Sequence, residues 1–293
     1  MSLFSLLLVV LAAVIHASWN LLAKRASDAG PVFVMAYTSI ATLVYLPWAA
    51  WIFIESEFVF GVFNTQIIVC IVLSGLLHLA YSLFLQRGYQ VADLSVVYPI
   101  ARGAAPVVST MGAFLFLGEP LFTGRVIGLI AVVIGVFLVA TRGNLIQFRQ
   151  PSAYKGVSWG GATGAMIAGY SVVDAYGVKI LGIHPVLLDW FANLVRLVML
   201  FPWLLSNRKA AVARMSGRWG LALAIGVLSP LSYILVLFAL GMGAPLSVVA
   251  PAREMSMMVG ALLGMIVLHE EIGVWRFVGC LVLVGGVIVL GRS

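Results

Sequence analysis

The sequence predicts an all-α polytopic membrane protein with about ten transmembrane helices in two inverted five-helix repeats. Three observations predict it. The 293 residues are 63% hydrophobic and only 9% charged, whereas a soluble domain carries about 25% charged residues, so a water-facing surface cannot be assembled from this chain. The apolar residues gather into about ten runs of roughly 20, the length a helix needs to cross a bilayer core. Finally, a charged and proline-marked segment of the first half recurs in the second. Together these speak against a soluble enzyme, a nucleic-acid binder or a disordered chain.

Taken in order, the runs lie near 3–22, 31–54, 65–86, 93–117 and 121–141, then 155–176, 184–205, 218–240, 245–268 and 272–291. They are continuous rather than alternating, which selects helices over outer-membrane strands. The first run ends in "HAS" like a cleavage site, but no Lys or Arg precedes its apolar stretch, so it reads as a retained helix. Connections after odd-numbered runs carry eleven basic residues: Lys24, Arg25, Arg87, Arg142, Arg149, Lys155, Arg208, Lys209, Arg214, Arg218 and Arg276. Those after even-numbered runs and the C-terminus carry Arg125, Lys179 and Arg292. The positive-inside rule then puts the odd connections in the cytoplasm and both termini outside, with a bacterial inner membrane as the expected location. The net charge of +7 is therefore a matter of orientation and not of nucleic-acid binding. Cys70 and Cys280 each sit inside an apolar run and read as packing residues, with no disulfide framework or metal cluster.

The internal repeat is read from identical charged and proline positions in order. "ADLSVVYPIAR" (Ala92 to Arg102) recurs as "APLSVVAPAR" (Ala244 to Arg253), one residue shorter after the proline. Downstream, Glu119 matches Glu270, Arg125 matches Arg276, Gly128 matches Gly279 and Gly135 matches Gly286. Upstream, Pro31 matches Pro185 and "LPW" (Leu46 to Trp48) matches "FPW" (Phe201 to Trp203). The Arg- and Gln-containing connection near 142–155 divides the chain into repeats at 1–143 and 144–293. Five crossings is an odd number, so the second repeat enters the membrane from the opposite side. Inverted repeats of this kind build alternating-access carriers, with the solute site near the midplane between the halves.

"HASWNLLAKR" (His16 to Arg25), "PVVSTMGAFLFLGEP" (Pro106 to Pro120) and the degraded second copy ending "LHEE" (Leu268 to Glu271) resemble the drug/metabolite transporter superfamily, specifically its EamA-type ten-helix members. The resemblance spans nearly the whole chain and implies a transporter, with amino acids, other metabolites, drugs and organic phosphates all in the substrate range. Two departures stand out. Met257 replaces Pro106 in the second copy, and the first helix lacks the acidic residue that small multidrug exporters use for proton coupling.

Polar groups inside a span are costly, about 2.5–3.5 kcal/mol for a central charge on insertion scales, and so mark where to look. His16, Trp19, Asn20 and Lys24 share one face of the first helix, either as a cavity lining or as interhelical hydrogen bonders, with Lys24 snorkelling to the headgroups. His78, Tyr81 and Ser82 repeat the pattern on the third helix, with Gln86 a turn further on. Arg102 and Arg253 hold matching positions, each just after a span-interrupting proline, Pro99 or Pro251. An arginine keeps its proton and requires an anion, which is either an internal carboxylate (Glu254, Asp174 or Asp189) or a solute's acidic group. Asp189, Asn193 and Arg196 share a face of the seventh helix, Asp189 and Arg196 about 10 Å apart along the axis and thus too far for a direct pair. Tyr98 and Trp190 serve either as aromatic walls or as lipid-facing belts. The glycine runs 160–169 and 285–286 fit close helix packing, and Glu119 and Glu270 fit turn or capping roles.

The resulting expectation is a secondary transporter, not an enzyme, that needs no cofactor. Its partners are a small organic solute and the lipid bilayer, with a single chain as the simplest working unit. The solute is an amino acid or another carboxylate-bearing metabolite, a phosphonate or organic phosphate being the alternative. No HExxH, GxSxG or P-loop motif is present, which disfavours an intramembrane enzyme. A channel subunit is disfavoured by the lack of a glycine-rich filter.

Overall fold

In the computed structural model, residues 2–26, 30–55, 64–150, 153–206, 214–268 and 273–292 are described. Among them every regular element is helical: α1 (Leu3–Lys24), α2 (Pro31–Glu55), α3 (Thr65–Val91), α4 (Leu94–Phe116), α5 (Thr123–Thr141), a 3₁₀ turn (Ile146–Arg149), α6 (Ala153–Lys179), α7 (Pro185–Ser206), α8 (Trp219–Gly241), α9 (Leu246–Ala252), α10 (Met255–Leu268) and α11 (Val274–Arg292). All ten expected spans are present, the ninth divided into α9 and α10. Local chemistry sets several starts. Ser2 and Asn64 accept from the backbone amides of Ser5 and Ile67 at 3.1 and 2.9 Å, and Pro31 and Pro185 open α2 and α7, where a missing N–H costs nothing.

Eight of these spans are long and apolar enough to cross a bilayer by length and composition. The exceptions, α4 and α6, have 23 and 27 residues and so suffice in length. Their polar content lowers their apolarity, and that content faces inward: Arg102 of α4 and Asp174 of α6 are buried.

The inversion is visible in glycine contacts. A Cβ on Gly128 of α5 would lie 2.9 Å from the carbonyl oxygen of Gly286 on α11, and one on Gly135 would lie 2.9 Å from that of Gly279. Residue numbers rise along α5 as they fall along α11, so the two helices are antiparallel. The pairing Gly128 to Gly279 and Gly135 to Gly286 read from sequence maps each contact onto the other. A second set obeys the same rule. Gly75 of α3 packs on Val195 and the Ala192 carbonyl of α7, and Gly226 of α8 packs on Ile40 and the Tyr37 carbonyl of α2. The register that aligns "LPW" with "FPW" aligns Tyr37 with Ala192 and Ile40 with Val195. Two antiparallel copies therefore pack about a two-fold axis.

The symmetry is incomplete where the sequence is. Gly156, Gly160 and Gly164 of α6, spaced four apart, let that helix meet α4 so closely that Cβ atoms there would fall 2.8–2.9 Å from Val96, the Val97 carbonyl and the Ala101 carbonyl. The corresponding first helix, α1, contains no glycine and meets α9 and α10 less extensively. Of the glycines expected to pack, Gly161 and Gly285 face open space.

The interruption expected at both prolines occurs at one. Pro99 and Pro106 lie inside a continuous α4, whereas after Pro251 the helix stops at Ala252 and resumes at Met255. The intervening Arg253 and Glu254 form tight turns, with Glu254 N–H donating to Pro251 O and Met257 N–H to Glu254 O. The residue missing after Pro251 is what separates the two copies here.

At the membrane face carrying the termini, Glu119 joins the halves. In the turn between α4 and α5, it accepts from the backbone amides of Leu246 and Ser247 at 2.6 and 3.0 Å, from the Ser247 hydroxyl, and from Lys179 Nζ at 3.3 Å. It thus caps α9 rather than its own helix. Arg125 closes the cluster through Ser247 Oγ at 3.1 Å. Burial alone would raise the Glu119 carboxyl, but these donors outweigh it and hold the group below the usual carboxylate range. Its repeat partner Glu270, with Glu271, lies outside the described residues.

Candidate functional site

A cleft open to solvent lies between the repeats. Helices of both halves line it: His16 and Trp19 of α1, Tyr37 and Ala41 of α2, His78, Tyr81 and Ser82 of α3, Tyr170 of α6, Asp189, Asn193 and Arg196 of α7, Ser229, Pro230, Ser232 and Tyr233 of α8, and Arg253 from the break. A smaller pocket adjoins it between Ala12, Ala13, Arg102 and Val236, sharing His16, Ser232, Tyr233 and Arg253.

The matching arginines have different fates. Arg102 Nε lies 2.9 Å from Glu254 Oε2, both side chains buried, and Nη2 donates to Ser256 Oγ at 2.7 Å. The Nε–H does not point along the 2.9 Å contact, so this is a charge pair more than a directed hydrogen bond. Arg253 has no carboxylate oxygen within 4 Å among the described residues. It donates to Ser171 Oγ and Tyr170 Oη at 3.4 and 3.3 Å, and its guanidinium lies 5.2 and 5.9 Å from the ring centres of Tyr233 and Tyr170. The repeat explains the difference. Glu254 follows Arg253 in sequence and reaches Arg102 across the two-fold, and the residue equivalent to Glu254 in the first copy is Gly103, which has no side chain to return the contact.

On α7 the gap between Asp189 and Arg196 is bridged by Asn193, whose Nδ2 donates to Asp189 Oδ2 at 2.9 Å and whose Oδ1 accepts from Arg196 at 3.0 Å. Arg196 also approaches Tyr37 Oη and Ser82 Oγ at 3.4 and 3.5 Å. Behind the wall, Asp174 Oδ2 accepts from Tyr233 Oη at 2.5 Å and contacts His78 Nε2 at 3.1 Å. The His78 ring stacks on Tyr170 at 3.8 Å. Trp19 Nε1 donates to Ser232 Oγ at 3.3 Å and its ring meets His16 edge-on at 4.7 Å.

The EamA-like transporter family model matches the sequence twice, over residues 3–141 and 154–292. The chain belongs to the EamA-like transporter family. A crystal structure described only as that of a protein aligns over 97% of the transporter and 95% of its own chain, at 14% identity and a TM-score of 0.72, a likeness of fold alone. No curated protein sequence matches the transporter significantly.

Of the side chains singled out in the sequence, His16, Trp19, His78, Tyr81, Ser82, Asp189, Asn193 and Arg253 line the cleft and Arg102 the adjoining pocket. Five do not. Asn20 is half-buried one position beyond Trp19. Tyr98 lies beneath Arg102, with its ring centre at 5.9 Å, and Glu254 is occupied with Arg102. Asp174 is only 1% exposed. Trp190 donates to the Thr42 carbonyl at 2.9 Å within an apolar cluster around Tyr45, Val186 and Leu187. The Lys24 side chain lies outside what is described. Sequence reasoning missed Tyr37, Tyr170, Tyr233 and Ser232. The signal for two of them was present: Tyr170 precedes Asp174 by one helical turn, and Tyr233 follows Ser229 by one. Membrane tyrosines at other positions serve as interfacial belts, which masks that signal.

Proposed function

We propose that this transporter carries a small organic solute, an amino acid or another carboxylate-bearing metabolite, by alternating access, with Arg253 holding the carboxylate. The observation that carries this reading is the asymmetry of the arginine pair. A guanidinium cannot shed its charge, and the half-buried Arg253 meets only hydroxyls and aromatic faces among the described residues where Arg102 meets Glu254. Trp19, Tyr37, Tyr81, Tyr170 and Tyr233 supply flat apolar walls for the solute body, and His16 Nε2, buried without a partner, is a polar group left for the solute. Both repeats of one chain build the cleft, which supports a monomer as the working unit. The loop bias in basic residues supports a bacterial inner membrane with both termini outside.

The test is uptake into liposomes reconstituted with the purified chain, using a ¹⁴C-labelled amino-acid mixture, labelled glycerol 3-phosphate as the organic-phosphate alternative and labelled tetraphenylphosphonium as a cation. Saturable amino-acid uptake is expected. R253Q should raise its KM about ten- to hundredfold, the worth of hydrogen bonds to a charged group. Uptake of the cation alone, or amino-acid uptake indifferent to R253Q, would overturn the reading.

A further inference from the structure

We infer that His78 and Asp174, bridged to the anion site by Tyr233, form a proton-binding site, and that one proton travels with each solute molecule of net charge −1. The inference rests on the reading of Arg253 as the carboxylate site.

The geometry supplies a proton acceptor with a route to the cleft. Asp174 Oδ2 takes two donors, Tyr233 Oη and His78 Nε2, while Oδ1 is buried with no partner. When Asp174 carries no hydrogen, the contact takes the His78 tautomer with hydrogen on Nε2. Asp174 is 1% exposed and the His78 side chain 15%, so the imidazole is the exposed end of the pair. Tyr233 touches both sites at once, its hydroxyl on Asp174 and its ring against the Arg253 guanidinium.

Charge balance gives the direction of coupling. Asp174 itself meets His78 of α3 and Tyr233 of α8, with Cys70 of α3 on the carbonyl of the neighbouring Val173; the cleft that His78 and Tyr233 line also presents Tyr81 of α3, Tyr170 of α6, Asp189 and Arg196 of α7, and Arg253 from the break in the ninth span. On α4 the nearest charge is Arg102, matched by Glu254. Asp189 and Arg196 are matched through Asn193. That leaves Arg253 and Asp174 to balance each other across Tyr233. A solute of net charge −1 whose carboxylate arrives at Arg253 adds one uncompensated negative charge to the site, which is costly inside a membrane. One proton added at His78 Nδ1, giving imidazolium beside carboxylate or equally neutral imidazole beside carboxylic acid, restores neutrality. On the opposite side the solute leaves, Arg253 again balances Asp174, and the proton departs to water. By reciprocity, protonation tightens anion binding by the same factor.

The experiment uses the full chain in liposomes with trapped pyranine and ¹⁴C-glutamate, an amino acid of net charge −1, as probe. The wild type should acidify the lumen as label enters, accumulate label when the outside is acidic, and show an apparent affinity rising about tenfold per unit fall in outer pH while the pair is unprotonated. D174N should lose acidification and accumulation but still exchange internal for external label. Wild-type uptake without proton entry overturns the inference and leaves the Arg253 reading intact, as does D174N accumulating like the wild type. D174N losing exchange while wild-type uptake carries no proton assigns the pair a structural role and likewise overturns it. Absence of wild-type glutamate uptake while other amino acids enter overturns the inference, and absence of any wild-type amino-acid uptake overturns the Arg253 reading with it.

Discussion

Replacing Glu254 by Gln leaves the Arg102 guanidinium buried without its counter-charge, and the cost can be worked from the contact. With Nε and Oε2 at 2.9 Å, the two charges lie about 4 Å apart, which at an effective dielectric of 20 is worth about 4 kcal/mol. Loss of one partner of a buried pair costs about 3–5 kcal/mol, so the two routes agree. That is about a thousandfold in the folded-to-unfolded ratio. The double variant R102Q/E254Q removes both charges together and should recover most of the loss, because paired neutral amides incur no uncompensated charge. R253Q orphans no carboxylate within 4 Å and should cost at most about 1.5 kcal/mol, the worth of an ordinary hydrogen bond. Unfolding in mixed micelles, followed through the eight tryptophans, measures all four proteins. E254Q as stable as the wild type, or a double variant no more stable than E254Q, would refute the argument that Arg102 is neutralised internally.

Three further outcomes follow from named contacts. G135A should destabilise by about 1–3 kcal/mol, since its Cβ would sit 2.8 Å from Leu283 N and 2.9 Å from the Gly279 carbonyl; G285A, which meets nothing, is the control, and equal melting of the two would contradict the close α5–α11 crossing. N193L removes the bridge between Asp189 and Arg196 and should raise the KM for the labelled amino-acid mixture about tenfold; unchanged uptake kinetics would remove that triad from the site. Glu119 has its folded-state carboxyl held below the usual range, so its contribution is fully present above the ordinary carboxylate pKa and disappears as pH falls through the lowered one. The melting difference between wild type and E119Q should therefore be constant near neutrality and vanish in acid, and a difference that grows on acidification would contradict that sign.

The fold was legible because its determinants are one-dimensional. Hydrophobic length counts the spans, and the parity of five makes the copies antiparallel; Gly128, Gly135, Gly279 and Gly286 then meet as that inversion requires. The site was legible only where helical spacing gathers residues on one face, as for His78, Tyr81 and Ser82 or for Asp189, Asn193 and Arg196. Asn20 and Trp190 show the limit, because a periodic face can turn toward a neighbouring helix as readily as toward the cleft.

From the chain alone came the number of crossings, the duplication, the odd parity that inverts one copy, and the matching of Arg102 with Arg253. Packing decided which arginine is neutralised, where a proline breaks the helix, and which tyrosines surround the solute space. Those outcomes depend on distances across the two-fold axis, between residues far apart in sequence, and Gly103 facing the place where its counterpart is Glu254 is a difference that no periodicity along a single helix reveals.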